Sequence, residues 1–292
     1  MAFQKKHFHF VCIILLLLAS NCGSSSPYIA EEIDIQNITT AQHLIFIGLD
    51  GWGGAYLPGA DMPTVKRMMA QGASSIYTQC IMPSNSWANW VSLFSGTLIR
   101  QRNSRQFPTI FSLVNNDSQE IRSVFFYEWS DLDRICPDDI TVKRRILSDL
   151  ESTENIVSYI TSVKPFFTAV VFNEPDSAGH GSGWGSAAYN AKLTELDGYI
   201  AAIEQAVIDA GIYDNTVFVL SSDHGGSYRG HGTNNPLHRR IPIIFYGRGI
   251  KQGHTISHPE SGICNIDPTM ALILGLGIPP EWRARPLLEV FE

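Results

Sequence analysis

The stretch Ser221-Ser222-Asp223-His224-Gly225-Gly226 decides how the rest of the chain is read. The apolar run Val217-Phe218-Val219-Leu220 leads into it and reads as a buried strand; the glycines behind it turn the backbone sharply. A strand ending in Asp-His presents a carboxylate and an imidazole at the carboxyl edge of a sheet, where open α/β folds bind their ligands. His231 follows between Gly230 and Gly232. Oxygen and nitrogen donors in a glycine-rich loop suit a zinc-like ion, although Asp-His-Gly alone reads more readily as a polar turn.

Other strand ends repeat the pattern. Leu44-Ile45-Phe46-Ile47-Gly48-Leu49 is continuously apolar, as a strand buried on both faces must be, and ends in Asp50-Gly51. Phe167-Thr168-Ala169-Val170-Val171-Phe172 runs into Asn173-Glu174-Pro175-Asp176, with His180 four residues beyond Asp176. Tyr189, Leu193, Leu196, Ile200, Ile203 and Val207 then recur by threes and fours, predicting an amphipathic helix. That helix returns the chain to Thr216 by a right-handed crossover. Ser123-Val124-Phe125-Phe126-Tyr127 and Ile241 to Gly247 read as further strands, and Glu128 and Asp131 stand at the end of the former.

Between these strands lies Met82-Pro83-Ser84-Asn85-Ser86-Trp87-Ala88-Asn89-Trp90-Val91-Ser92-Leu93-Phe94. Trp87, Trp90, Val91 and Phe94 have helical spacing, so a helix starts near Ser86. Its positive dipole end would favour a nearby anion. From this stretch alone Ser86 reads as an N-cap before it reads as a nucleophile. Asn89, one turn on, would lie near enough to donate to the same anion. Short helices are expected from Asp61-Met62-Pro63 to Gly72 and from an Asp267-Pro268 cap to Leu274. A charged helix is expected over 141–163. His238, His254 and His258 lack an acid at comparable spacing and read as surface histidines.

The amino terminus has the form of an export signal. Lys5 and Lys6 precede an apolar run from Phe10 to Ala19, about half the roughly 20 residues of a membrane span. Ala19-Ser20-Asn21-Cys22 is similar to a lipoprotein processing site with Cys22 as the lipidated residue; ordinary cleavage nearby is the alternative. The expected organisation is a signal over 1–22, a tether over 23–40 and one catalytic domain over 41–292. The expected location is periplasmic, outer-surface or secreted, with membrane attachment only through a lipid on Cys22. Removing residues 1–21 takes away two lysines and no acid, moving the net charge from −7 to −9. An acidic surface argues against nucleic-acid binding as the main role. Cys80, Cys136 and Cys264 are too sparse for a cysteine zinc site and allow at most one disulfide.

Collected, Asp50, Ser86, Asp176, His180, Asp223, His224 and His231 all lie just beyond an apolar run or at a helix start. They predict an α/β fold with a mostly parallel central sheet sandwiched by helices and its chemistry along the carboxyl edge of the strands. Three carboxylates and three imidazoles can hold two divalent ions, the arrangement used for in-line displacement at phosphorus. Over roughly residues 43 to 290 the chain resembles the alkaline phosphatase superfamily. It looks most like the type I phosphodiesterase and nucleotide pyrophosphatase branch. The matching motifs are Leu49-Asp50-Gly51, Pro83-Ser84-Asn85-Ser86, Glu174-Pro175-Asp176-Ser177-Ala178-Gly179-His180, Ser222-Asp223-His224-Gly225, Gly230-His231-Gly232, Asp267-Pro268-Thr269 and Arg285-Pro286-Leu287.

The resemblance implies one ion on Asp176, His180 and His231. It implies a second on Asp50, Asp223 and His224 with the Ser86 oxygen beside it. It makes Ser86 the nucleophile, forming a phosphoseryl intermediate, and gives Asn89 a phosphoryl oxygen to hold. Zn²⁺ suits Asp/His ligation, with Mn²⁺ the alternative. The implied substrate is a small phosphate ester or a nucleotide. Serine stands where the branch usually has threonine, and Ala88 and Trp90 stand where it often has proline and histidine. A phosphomonoesterase on the same site is therefore the enzymatic rival, needing a further cation for which Arg100, Arg102, Arg105 and Arg134 are candidates. A non-catalytic metal-binding surface protein is the other rival. Nothing matches the sulfatase pattern of cysteine or serine before Pro-Ser-Arg. Trp52, Trp87, Trp90, Trp129 and Trp184 would suit either the core or stacking on a base.

Overall fold

In a computed structural model of the chain, the described residues are 38–99, 107–116, 122–135, 141–146, 149–257 and 262–292. The signal and lipoprotein segment, most of the tether, Arg100, Arg102, Arg105, Cys136 and His258 lie outside them. In chain order the strands are β1 (His43–Asp50), β2 (Ala73–Gln79), β3 (Ser123–Tyr127), β4 (Thr141–Arg145), β5 (Phe167–Pro175), β6 (Thr216–Ser221), β7 (Arg240–Gly247) and β8 (His254–Thr255). The helices are α1 (Pro63–Ala70), α2 (Ser86–Leu93), α3 (Ile110–Asn116), α4 (Asp149–Val163), α5 (Asp176–Ser182), α6 (Ala187–Asp209), α7 (Pro236–Arg239) and α8 (Ile266–Ile273).

The strands form one sheet in the order β4-β3-β5-β1-β6-β7-β2-β8. Every neighbouring pair is parallel except β6–β7 and β7–β2. This is the expected mostly parallel sheet. Strand β1 shows why its sequence is continuously apolar. Leu44 and Phe46 enter the core under α2, α3 and α8, while Ile45, Ile47 and Leu49 enter the core under α1, α4 and α6. With both faces covered, no position of the strand can be polar without a partner.

The order matters for chemistry because β5, β1 and β6 are adjacent. In parallel register their carboxyl ends fall side by side. Strand β2 runs antiparallel to β7, with Gln79 opposite Arg240, so its carboxyl end reaches the same edge and leads there into α2.

Several elements depart from the sequence reading. The charged segment expected as one helix over 141–163 begins as strand β4, and its helix starts only at Asp149. Lys143, Arg144 and Arg145 belong to a sheet-edge strand, where charge is compatible with extended backbone and blocks further pairing. Strand β2 and helix α3 carry weak periodicity and come from pairing and packing. His238 is buried, bonded through its two ring nitrogens to Ser227 Oγ (2.8 Å) and Thr233 Oγ1 (2.9 Å), and is no surface histidine. His254 has an acid partner after all, Glu289 at 3.1 Å. Asn265, not Asp267, occupies the N-cap of α8; Asp267 lies buried in the first turn. Cys80 and Cys264 are free thiols.

Candidate metal centre and nucleophile

Two three-residue clusters form at the carboxyl edge. Asp50, Asp223 and His224 form one, and Asp176, His180 and His231 the other; within each, one donor atom per residue lies within 4.8 Å of the others. Pairing of β1 with β5 sets Asp50 opposite Pro175, one residue before Asp176. Gly51 makes that approach tolerable. It sits at φ +72°, and a Cβ there would fall 2.8 Å from the Asp176 Cα. Its amide donates to Asp223 Oδ1 at 3.1 Å, tying the end of β1 to the end of β6.

The histidines are oriented from behind. His224 Nδ1 donates to the Gly225 carbonyl at 2.9 Å, His180 Nδ1 to the Arg229 carbonyl at 3.0 Å, and His231 Nδ1 to the Ser84 carbonyl at 3.0 Å. A ring nitrogen against a carbonyl must carry the proton, so each Nε2 presents a lone pair to the site.

Those lone pairs face other acceptors. His224 Nε2 lies 3.2 Å from Asp223 Oδ2 and 3.5 Å from Asp50 Oδ1. His180 Nε2 and His231 Nε2 are 3.1 Å apart, with Asp176 oxygens at 3.4 and 3.7 Å. Asp176 Oδ1 and Asp223 Oδ2 are buried without a hydrogen-bond donor. Acceptors crowded against acceptors, buried in the first cluster and partly exposed in the second, call for a cation. The donor set of carboxylates and neutral imidazoles suits a divalent ion in each cluster. The clusters touch: the His224 and His231 rings stack at 3.8 Å with 15° between planes.

Ser86 joins the first cluster. Its Oγ is 3.1 Å from His224 Nε2 and 3.3 Å from Asp50 Oδ1. The N-cap of α2 is Asn85, whose side chain accepts from the Ala88 amide, so Ser86 is the first helical residue and its hydroxyl has no capping duty. Asn89 stands one turn on in α2. It is fully buried, its Oδ1 accepts from the Ile81 amide, and its Nδ2 donates to the Pro83 and Asn85 carbonyls. With both ends bonded to backbone, it braces the loop that carries Ser86.

The sequence reading missed the groups that hold this edge together. Trp90 Nε1 donates to Asp50 Oδ2 at 3.0 Å, leaving Oδ1 for the cluster. Ser222 Oγ accepts from the Trp52 amide at 2.9 Å, and Glu128 Oε2 from the Asn173 amide at 2.6 Å. Ser222, inside a quoted motif, and Glu128, at a strand end, carried a sequence signal; the Trp90 donor did not. Trp52, Trp90 and Trp184 are buried, which removes them as stacking surfaces for a base.

Burial raises the pKa of all three cluster carboxylates, and like charge adds to it at Asp50 and Asp223. Asp50 is pushed well above the usual range by burial, then by Asp223 and Asp176. Asp223 is raised to about 7, chiefly by burial, and burial also raises Asp176. Burial and the neighbouring His231 hold His224 well below the usual imidazole value. In metal-free protein the folded state therefore keeps carboxyl protons that the unfolded chain has lost, and stability falls as pH rises. The depressed His224 acts oppositely, lowering stability only as pH falls below about 6.5. Above that value only the carboxylates contribute. Denaturant melts of chelated protein are expected to show stability falling as pH rises from about 6.5 to 8. Added zinc should remove the slope. Chelated stability that is flat or rising over that window contradicts this account.

Comparison with known proteins agrees with the architecture. The family described as "Type I phosphodiesterase / nucleotide pyrophosphatase" matches residues 44–101 and 112–231, and the chain belongs to it. It is 25% identical over 237 residues to a 2,3-bisphosphoglycerate-independent phosphoglycerate mutase of Cronobacter sakazakii, covering 76% of this chain and 43% of that protein. It is also 25% identical over 217 residues to ectonucleotide pyrophosphatase/phosphodiesterase family member 1 of Rattus norvegicus, covering 62% of this chain and 24% of that protein. The chain thus spans less than half the length of these curated relatives. Among solved structures, murine ectonucleotide pyrophosphatase / phosphodiesterase 5, inactive and in complex with AMP, superposes with a TM-score of 0.71. The sequences are 12% identical there, and 86% of this chain and all of that one are covered. The fold is the alkaline phosphatase-like one expected.

Proposed function

We propose that the protein is an exported, metal-dependent phosphoric ester hydrolase of the phosphodiesterase or nucleotide pyrophosphatase type. Asp176, His180 and His231 would hold one divalent ion, and Asp50, Asp223 and His224 the other, zinc fitting the donors and manganese being the alternative. The observation that carries the reading is the position of Ser86 Oγ, between Asp50 and His224 and free of capping. Bound divalent ions would supply the positive charge that makes a serine alkoxide accessible and offsets charge on the phosphoryl oxygens.

The chain's own groups then do the following. Asn85 and Asn89 hold the loop so that Ser86 projects from the positive end of α2. The Ser86 hydroxyl releases its proton to solvent as its oxygen attacks phosphorus, and the bond to the ester leaving oxygen breaks, that oxygen taking up a proton from solvent. Water then attacks the phosphoseryl group, releasing the phosphoryl product and restoring the hydroxyl. The carbonyls of Gly225, Arg229 and Ser84 hold Nδ1 of each imidazole and direct Nε2 inward.

Chelated protein, with zinc added back, should be tested on a diester, a monoester and a sulfate ester. Diesters are expected to be cleaved fastest. A monoester carries an extra negative charge. Among the described residues no arginine or lysine side chain is hydrogen-bonded or ion-paired to Ser86 or to the six cluster residues. An order-of-magnitude preference for the monoester would move the function to phosphomonoesterase, and no turnover of any ester would leave a metal-binding protein. Export through a lipid on Cys22 is read out by acyl labelling, which Cys22→Ser should abolish.

A further inference from the structure

We infer that Trp184 is the positioning residue that sets the spacing of the two clusters, an inference that rests on the two-ion reading above. Its indole touches the backbone near a ligand in three of the ligand-bearing segments, those of Asp50, of Asp176 and His180, and of Asp223 and His224. Nε1 donates to the carbonyl of Gly51, next to Asp50, at 2.8 Å. The six-membered side of the ring lies against Gly179, next to His180, and against Gly226, two residues beyond His224. A Cβ at those glycines would come within 2.6 Å and 2.3 Å of the ring. The indole also meets the His180 ring edge-on, with centroids 5.2 Å apart and planes at 81°. The His231 ring lies 6.0 Å away at 67°.

The local backbone is shaped for this insertion. Gly183 and Gly185 flank the tryptophan at φ +97° and +79°, left-handed conformations that a side chain would strain. They fold the turn before α6 so that a large ring enters the site edge instead of solvent. Trp184 is 7% exposed. Its own amide donates to the Tyr228 carbonyl at 2.8 Å, fastening the turn to the hairpin that precedes His231. Tyr189 adds a second donor to the Gly51 carbonyl at 3.0 Å, and Tyr56 holds the Gly226 carbonyl at 2.8 Å. A rigid bicyclic ring wedged among three chain segments fixes their separations. It adds to the Gly51 amide's bond to Asp223 Oδ1, which ties only the ends of β1 and β6. The indole is therefore the part that keeps the clusters at one distance before and after loading.

The test compares wild type with Trp184→Phe, which keeps a ring and loses the Nε1–H, and with Gly179→Ala, which keeps every ligand and pushes on the indole. Zinc affinity is read by competition with a chromophoric chelator. Ion–ion coupling is read from the EPR spectrum of Mn²⁺-loaded protein. Wild type should bind two ions with a resolved dipolar coupling. Both variants should bind the second ion about tenfold more weakly or worse. Their coupling should be broadened or lost, and kcat should fall more than KM rises. A merely structural tryptophan would lower the melting temperature and leave the affinity of the folded fraction and the EPR coupling unchanged, which overturns the inference. Should Trp184→Phe fail to fold, Gly179→Ala decides by the same readouts. A wild type that binds no metal overturns the two-ion reading together with this inference. A wild type that binds two ions, with variants indistinguishable from it, overturns the inference alone.

Discussion

Replacing Ser86 with alanine is expected to lower turnover at least about a thousandfold, while the protein stays folded and binds as much metal as wild type. The size follows from what is removed. The Ser86 oxygen is the only side-chain hydroxyl recorded within hydrogen-bonding distance of both Asp50 and His224 among the described residues. Without it the covalent route has no acceptor for the phosphoryl group. Stability should change by less than the roughly 0.5–2 kcal/mol typical of a lost N-cap, because Asn85 holds that position. Asn85→Ala is the matching control: it should lose that stability, and its effect on rate should be the smaller of the two. Ser86→Thr keeps a hydroxyl and should retain part of the activity. Acid-quenched wild type should yield a phosphorylated Ser86 peptide. A folded, metal-loaded Ser86→Ala protein near the wild-type rate would rule out this mechanism.

The second large effect concerns the histidines. His180→Ala or His231→Ala should each remove one metal equivalent, that of the Asp176 cluster, and His224→Ala the other. Activity should fall with occupancy, and chelation of wild type should abolish it reversibly. Each variant removes a neutral nitrogen that nothing else on the edge replaces, because the remaining donors are already committed to their own cluster. The His224→Ala variant should also weaken the Asp176 cluster somewhat, since it removes the ring stacked on His231 at 3.8 Å. Metal analysis of the three purified variants checks this. Unchanged stoichiometry in all three would overturn the ligand assignment.

Much of this architecture is legible in the residues. The runs Leu44 to Leu49, Phe167 to Phe172 and Val217 to Leu220 could only be strands covered on both faces. A polar pair at the end of such a run has to emerge at a sheet edge. The helices built around Tyr189 to Val207 and Trp87 to Phe94 follow from periodicity in the same way. Local sequence could not say which candidates would meet. Asp50 and Asp223 are 173 positions apart, and only the adjacency of β1 and β6 brings them together. Nor could it separate cap from nucleophile at Ser86: both need a hydroxyl at a helix start, and the distinction lies in the neighbouring Asn85 taking the cap.

What the chain determines by itself is therefore local: which segments bury, which ones turn, and which donor types stand at each strand end. What tertiary structure alone decided is the use of each side chain. Asn89 turned out to bond only to backbone, Trp90 to carry the donor for Asp50, His238 to brace a loop, and Trp184 to lie against three of the ligand segments. The physical reason is that burial is non-directional and readable from periodicity. A hydrogen-bond partner is set by the register between strands distant in sequence, and that register exists only once the sheet has formed.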